Sequence, residues 1–475
     1  MIFLYFTIFT IVLSAIVFWI ENKVISYTSG ILYVLSQIFL SVYAYLHPGQ
    51  SDSGYFIFDN LGILLNILLV VITFPVLFHS RFYLVRHVSD LNARGKFLAL
   101  LFILESAISG IYFTDNFIIM WVCFEITTIV ITFLTYHERY PAALEASWKY
   151  LFISSIGITF AFLGLLFLSV QNVKGNEVSL SYDHLLVAAS AIDPFFIKAA
   201  FLLLLTGYSV KMNIFPLYAA TVDAKTVAPF PVNAITSTAM INGGFVAIFR
   251  IFSIISKTNS FEWARHVMLI TGIFSLFIVA VQLFRVKRFK RMFAFSTMEH
   301  MALIIIALSL GKPGYYAALL HLVFHTLAKT GMFLHFGIIR ASYQTGWIKN
   351  TGLYFQNNGF GAIIYILGLL TITAIPPSGM FFSEYLIFKA LFLTGNFFIA
   401  VLMLLLLTVI IYILFKYSIQ LLYGIPAETF QPEKAIINKY EPVSQIILFG
   451  GIIYLAYFPP VLFTDLINAI INQLS

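Results

Sequence analysis

The sequence predicts an all-α polytopic membrane protein, and three observations predict it. Hydrophobic residues make up 61% of the 475 and charged residues 10%, where soluble domains carry about 25% charged. The mean hydropathy is +0.95. Apolar runs long enough to cross a bilayer recur from end to end, at roughly 20 residues per span, and no soluble domain of any size fits between them. That spacing gives about fourteen helices, expected near 2–20, 26–46, 57–79, 97–113, 116–136, 148–170, 190–214, 228–255, 265–284, 292–310, 315–339, 358–394 (broken), 397–423 and 444–465.

The first run lacks an early basic region and a small-residue cleavage site, so it reads as a retained span and not a removed signal peptide. A single cysteine, Cys123, excludes a disulfide framework and a cluster-binding set. With no Gly-rich phosphate loop in view, no cofactor is expected in this chain. The formal charge of +7 does not point to nucleic acid, because the cations alternate from side to side once the spans are drawn. One set of loops holds Lys23, Arg81, Arg86, Arg94, Lys96, Arg139, Lys149, Lys225, the run Arg285 to Arg291, Arg340, Lys349, Lys434 and Lys439. This is about seventeen cations against about four on the other side, the positive-inside pattern. Both termini are therefore expected to be extracytoplasmic. The basic run Arg285–Arg291 reads first as a topology determinant, with a lipid-headgroup or partner contact as its rival.

Two places interrupt the apolar runs. Lys211 is followed by Pro216, and Ala374-Ile-Pro-Pro-Ser-Gly379, with Pro376 and Pro377, is followed by Phe381-Phe-Ser-Glu384. Irregular backbone at membrane depth is tolerated only where protein buries it or water reaches it. Paired proline-interrupted helices in the two halves of a chain mark ion paths in transporters built from repeats. Each interruption has an ionisable residue beside it, and a lysine at the bilayer centre costs about 2.5–3.5 kcal/mol on insertion scales, so such residues mark ion or proton paths.

The intramembrane inventory is Glu105, Glu125, Lys198, Lys211, His300, His321, His325, Lys329, His335, Glu384 and Lys389. The i, i+4, i+8 spacing of His321, His325 and Lys329 puts two imidazoles and an ammonium on one helix face, and histidine titrates near neutrality, so the row can pass protons. His-x-x-x-His is also a zinc-ligand spacing. No third ligand is near in sequence and a cation follows at the next turn, so no metal is expected. Glu125 has a lysine as its natural partner, and a separable Glu125–Lys211 pair would be a switch.

These residues resemble the antiporter-like proton-translocating membrane subunits shared by respiratory complex I, the Mrp antiporters and the membrane-bound group 4 hydrogenases. The resemblance runs through Trp121–Thr128, Ala143-Leu-Glu-Ala-Ser-Trp-Lys-Tyr150, Gly207-Tyr-Ser-Val-Lys-Met, Val222-Asp-Ala-Lys-Thr-Val-Ala-Pro-Phe-Pro-Val-Asn233, the His321/His325/Lys329 face and Ile375-Pro-Pro-Ser-Gly-Met-Phe-Phe-Ser-Glu384. Within the family it is most similar to component F of hydrogenase-4-type complexes. The resemblance implies one transmembrane domain over 1–475, with two inverted five-helix repeats near 97–255 and 265–423 and two broken helices.

It also implies a path in which Glu125 and Lys211 form the modulating pair, His321, His325 and Lys329 the central relay, and Glu384 the terminal acid. Asn242 falls where many relatives place a lysine, and Phe215-Pro-Leu-Tyr departs from the family's usual segment after the first interruption. The implied function is ion translocation in an oxidoreductase complex, with no redox centre in this chain. The partners are other membrane and peripheral subunits, the bilayer, protons and an exchanged cation such as Na+, in a prokaryotic cytoplasmic (inner) membrane. The rivals are an Mrp-type Na+/H+ antiporter subunit and the membrane half of an inorganic-carbon uptake system.

Overall fold

A computed structural model describes residues 1–20, 22–88, 90–172, 179–427 and 440–474. Lys434 and Lys439, two of the loop cations, lie outside the described residues. The elements are α1 (Ile2–Trp19), α2 (Lys23–Leu46), α3 (Asn60–His87), α4 (Leu91–Phe113), α5 (Phe117–Thr135), α6 (Pro141–Asn172), α7 (Tyr182–Ala188), α8 (Pro194–Met212), α9 (Ala219–Val227), α10 (Phe230–Thr236), α11 (Ala239–Ser256), α12 (Phe261–Leu283), α13 (Phe289–Ser309), α14 (Lys312–Tyr343), α15 (Tyr354–Asn357), α16 (Gly359–Ile372), α17 (Gly379–Leu393), α18 (Phe397–Tyr423), α19 (Val443–Tyr457) and α20 (Val461–Leu474). One two-residue hairpin, Ser51–Asp52 with Phe56–Ile57, sits between α2 and α3.

Among the described residues twelve helices are long and apolar enough to cross a membrane, or up to thirteen if the bent pair α19–α20 is one span. That pair turns by 70°, where a straight span over 444–465 was expected. The cause is Pro459-Pro460, which removes two backbone donors and denies the preceding residue helical geometry. Pro75, by contrast, sits inside an unbroken α3. The 228–255 stretch, expected as one helix, is one apolar span, Phe230–Ser256, with a turn at Ser237 and Thr238 between α10 and α11.

The chain divides into two compact units. The first comprises Met1–Ala224, Ala239–Val267 and Asp465–Ser475, and the second Lys225–Thr238 and Met268–Thr464. In the first unit α6 and α8 pack through glycines. A Cβ on Gly207 would lie 2.6 Å from both the Ala161 nitrogen and the Gly157 oxygen, and one on Gly164 would lie 3.1 Å from the Ala200 oxygen. Dispersion and close backbone approach hold such helices together in lipid, where no hydrophobic force does.

At the other end of this unit Arg250 of α11 is buried beneath the α4–α5 corner. Its guanidinium pairs with Asp59 at 3.1 Å and donates to the carbonyls of Tyr112, at 3.1 Å, and Thr114. It also lies 5.4 Å from the Tyr182 ring centroid. Asp59 caps α3 by accepting from the Gly62 amide at 2.8 Å. One guanidinium thus fixes where α3 begins and α4 ends, and the start of α5 follows from it.

Gly207→Val would force α6 and α8 apart against backbone atoms that cannot yield, at a cost of about 1–3 kcal/mol. A lower melting temperature of the purified protein is expected, with Gly450→Ala unchanged, since a Cβ there meets nothing within 4 Å. Asp59→Asn would leave Arg250 buried without its counter-charge. Breaking such a pair costs about 3–5 kcal/mol, so thermal melting should fall clearly, and an unchanged melting temperature would contradict the assigned role.

Candidate functional site

In the first unit α8 ends because Asn213 adopts the left-handed conformation, φ +60°, which terminates helices. Pro216 then cannot resume the ladder, and α9 begins only at Ala219. Lys211, in the last turn of α8, is 2% exposed. Its ammonium donates to Thr128 Oγ1 at 2.6 Å and to the Phe124 carbonyl at 3.3 Å. The Thr128 hydroxyl itself donates to the Phe124 carbonyl at 2.9 Å, leaving an oxygen lone pair for the lysine.

Glu125, on the same helix α5, is half-buried and interacts with Lys211 through its charge. The two do not make an ion pair here. Asn242 is buried on α11 and hydrogen-bonds Tyr112, whose hydroxyl donates to the Ala239 carbonyl at 2.7 Å. A Cβ on Gly244 would lie 2.7 Å from the Met212 nitrogen, so α11 presses directly on the end of α8.

In the second unit His321, His325 and Lys329 are fully buried on one face of α14. Lys329 donates to Ser296 of α13 at 2.7 Å and lies in the field of the Glu299 carboxyl. His300 Nδ1 faces His321 Nε2 at 3.2 Å, and the His300 ring centroid is 5.4 Å from that of His325. His321 Nδ1 meets Ser383 Oγ at 2.9 Å. Neither nitrogen of His325 has a partner among the described residues, which leaves it free to receive a proton or a water. Ser383 and Glu384 open α17, which begins after the non-helical Thr373–Ser378 and whose N-terminus Ser378 caps through the Phe381 amide at 3.3 Å. Glu384 is partly exposed.

Four groups escaped the sequence reading. Glu299 brings a buried carboxyl into the field of Lys329. Arg250 organises the helix ends around α5. Lys225, counted above among loop cations, lies in α9 at 1% exposure, and its ammonium has no partner among the described residues. It feels the charge of Lys329. Lys290, also counted among loop cations, is buried too and donates to the Ala228 carbonyl at 2.6 Å, beyond the C-terminal end of α9. Of the other residues in the inventory, Glu105 accepts from Thr73 at 3.0 Å within a buried network of α2–α4. Lys198 rests over Trp263, 5.6 Å from the ring centroid, at the start of α8, and His335 meets Tyr354 at 3.2 Å.

Residues 114–411 match the family described as NADH:quinone oxidoreductase/Mrp antiporter, TM. The hydrogenase-4 component F homolog of Methylacidiphilum infernorum (isolate V4) is 27% identical over 428 residues, covering 87% of this chain and 88% of that protein. The Na(+)/H(+) antiporter subunit A1 of Staphylococcus aureus (strain JH9) is 26% identical over 347 residues, 69% of this chain. The present chain spans only 41% of that longer protein. The same backbone path recurs in an archaeal membrane-bound sulfane sulfur reductase complex (TM-score 0.84, 22% identity, 100% of this chain and 96% of that one). It recurs again in the Mrp complex of Dietzia sp. DQ12-45-1b (TM-score 0.83, 14% identity, 100% and 97%). Both are subunits of multi-subunit membrane assemblies. Sequence match, fold and the buried titratable rows agree: the chain is a multi-pass membrane protein that belongs to the NADH:quinone oxidoreductase/Mrp antiporter transmembrane family.

Proposed function

We propose that the chain is the proton-translocating membrane subunit of a larger energy-coupling complex, of the group 4 hydrogenase or complex I-like kind, in a prokaryotic cytoplasmic membrane. The observation that carries this reading is the buried row in the second unit. Lys329, His325, His300, His321, Ser383 and Glu384 come from three helices, and successive members are either in contact or one helical turn apart. Intramembrane ionisable groups of this density are too costly to be kept without a role.

In the proposed route a proton loads Lys211 in the first unit. In the second it travels by Lys225, Lys329 and His325 to the His300–His321 pair, and leaves by Ser383 and Glu384. The row thus refines the expected order, since Ser383 and Glu384 adjoin His321 and not Lys329. Approach of Lys211 to Glu125 would favour the charged lysine, and its withdrawal to Thr128, as found here, would favour release. Asn242 carries no charge, and Lys225 supplies an amine within the second unit. Redox chemistry belongs to partner subunits, and the excess of cations on one set of loops, even without Lys225 and Lys290, supports a reading with both termini outside the cytoplasm.

A second reading, exchange of Na+ for protons, is favoured by the similarity to the Na(+)/H(+) antiporter subunit over 69% of the chain. Gentle purification with mass spectrometry of the co-purifying chains identifies the partners, and dependence of flux on Na+ separates the two readings.

In complexes of native subunit composition reconstituted into vesicles, Lys211→Ala and Lys225→Ala are each expected to lower proton flux by about 100-fold, the contribution of a positioned proton carrier. A fully assembled Lys211→Ala complex that pumps at native stoichiometry overturns the function. The same result for Lys225→Ala removes that residue from the route.

A further inference from the structure

The sequence offers a zinc-ligand spacing at His321 and His325 without a third ligand nearby. The fold changes which residues meet. His300 from α13 and Glu384 from α17 come alongside His321, and one ligand atom from each of the three lies within 4.8 Å of the others. His325 is not in this set.

Three features make it a built site. The facing nitrogens of His300 and His321 are 3.2 Å apart, about the separation of two imidazole nitrogens sharing a tetrahedral ion at Zn–N distances of about 2.0–2.1 Å. The Ser383 hydroxyl donates to the Met380 carbonyl at 2.9 Å, so its oxygen accepts from His321 Nδ1–H at 2.9 Å. That bond leaves the lone pair of His321 on Nε2, aimed at His300, and an outer hydrogen bond of this kind is what fixes a metal-ligating tautomer. His300 is fully buried, and it turns Nδ1 to the site while its ring also meets the Ile372 backbone. Glu384 contributes one anionic oxygen against the ion's two positive charges and is partly exposed.

We infer that His300, His321 and Glu384 form a binding site for a divalent d-block cation, Zn2+ by its ligand set, and that the bound ion plugs the histidine segment of the route. Two imidazoles and a carboxylate with a fourth position open form a three-ligand zinc site. The plugging half rests on the function proposed above, and the binding half stands without it.

The test titrates Zn2+ alone into the purified native complex after treatment with a chelator, counting bound ion by equilibrium dialysis, with Co2+ in parallel for the visible spectrum of a tetrahedral site. One ion per chain is expected. Its affinity should fall by about 100-fold in His300→Ala and in the near-isosteric Glu384→Gln, and stay native in His325→Ala, each measured on complexes of native subunit composition. Absence of micromolar binding, or binding that survives both substitutions, overturns the site. Zn2+ that binds there and stops proton flux supports the whole inference. Zn2+ that binds there while flux continues at its metal-free rate upholds the site and overturns both the plug and the histidine route.

Discussion

A charged amine held away from water must find oxygen, and much of this structure is arranged around that requirement. Lys211 finds a threonine hydroxyl and a carbonyl, Lys329 a serine hydroxyl, Lys290 a carbonyl beyond a helix end, and Arg250 a carboxylate with two carbonyls. Most helix-interior carbonyls are committed to the amide four residues on, and that of Phe124, which also takes Lys211, is an exception. The amines therefore gather where helices stop, as at Met212 and Val227, or beside hydroxyls whose single hydrogen is used within their own helix. Interrupted helices and buried cations are two sides of one solution.

The amine of Lys225 stands apart because no described group satisfies it. It belongs by packing to the same unit as Lys329 and His325.

Much of the fold could be read from the sequence, because a span of apolar residues needs no partner to be recognised. Lys211 and the His321–His325–Lys329 face were legible for a related reason: a charge in an apolar run stands out, and helical spacing assigns its face. What stayed hidden depends on distant residues meeting. Arg250 and Asp59 are 191 positions apart, and nothing local distinguishes Arg250 from a helix-end cation. Glu299 lies a short way beyond the basic run Arg285–Arg291 and reads as its surface counterpart until α13 is seen to be buried. Lys225 sits in a nine-residue helix, too short for a span pattern, and so passed for a loop cation. The bend at Pro459-Pro460 follows from two adjacent prolines, which the apolar residues on both sides mask in a span pattern.

The segment 225–238 belongs by packing to the second unit, with α10 lying on α14, although it is flanked in sequence by helices of the first. Residues 465–475 return in the opposite sense. During synthesis α10 therefore emerges long before the helix that it covers, and the first unit is complete only when the last helix arrives. Neither unit corresponds to one continuous stretch of the gene. A cut at residue 267 would deprive each half of a piece supplied by the other, so neither half holds a whole unit.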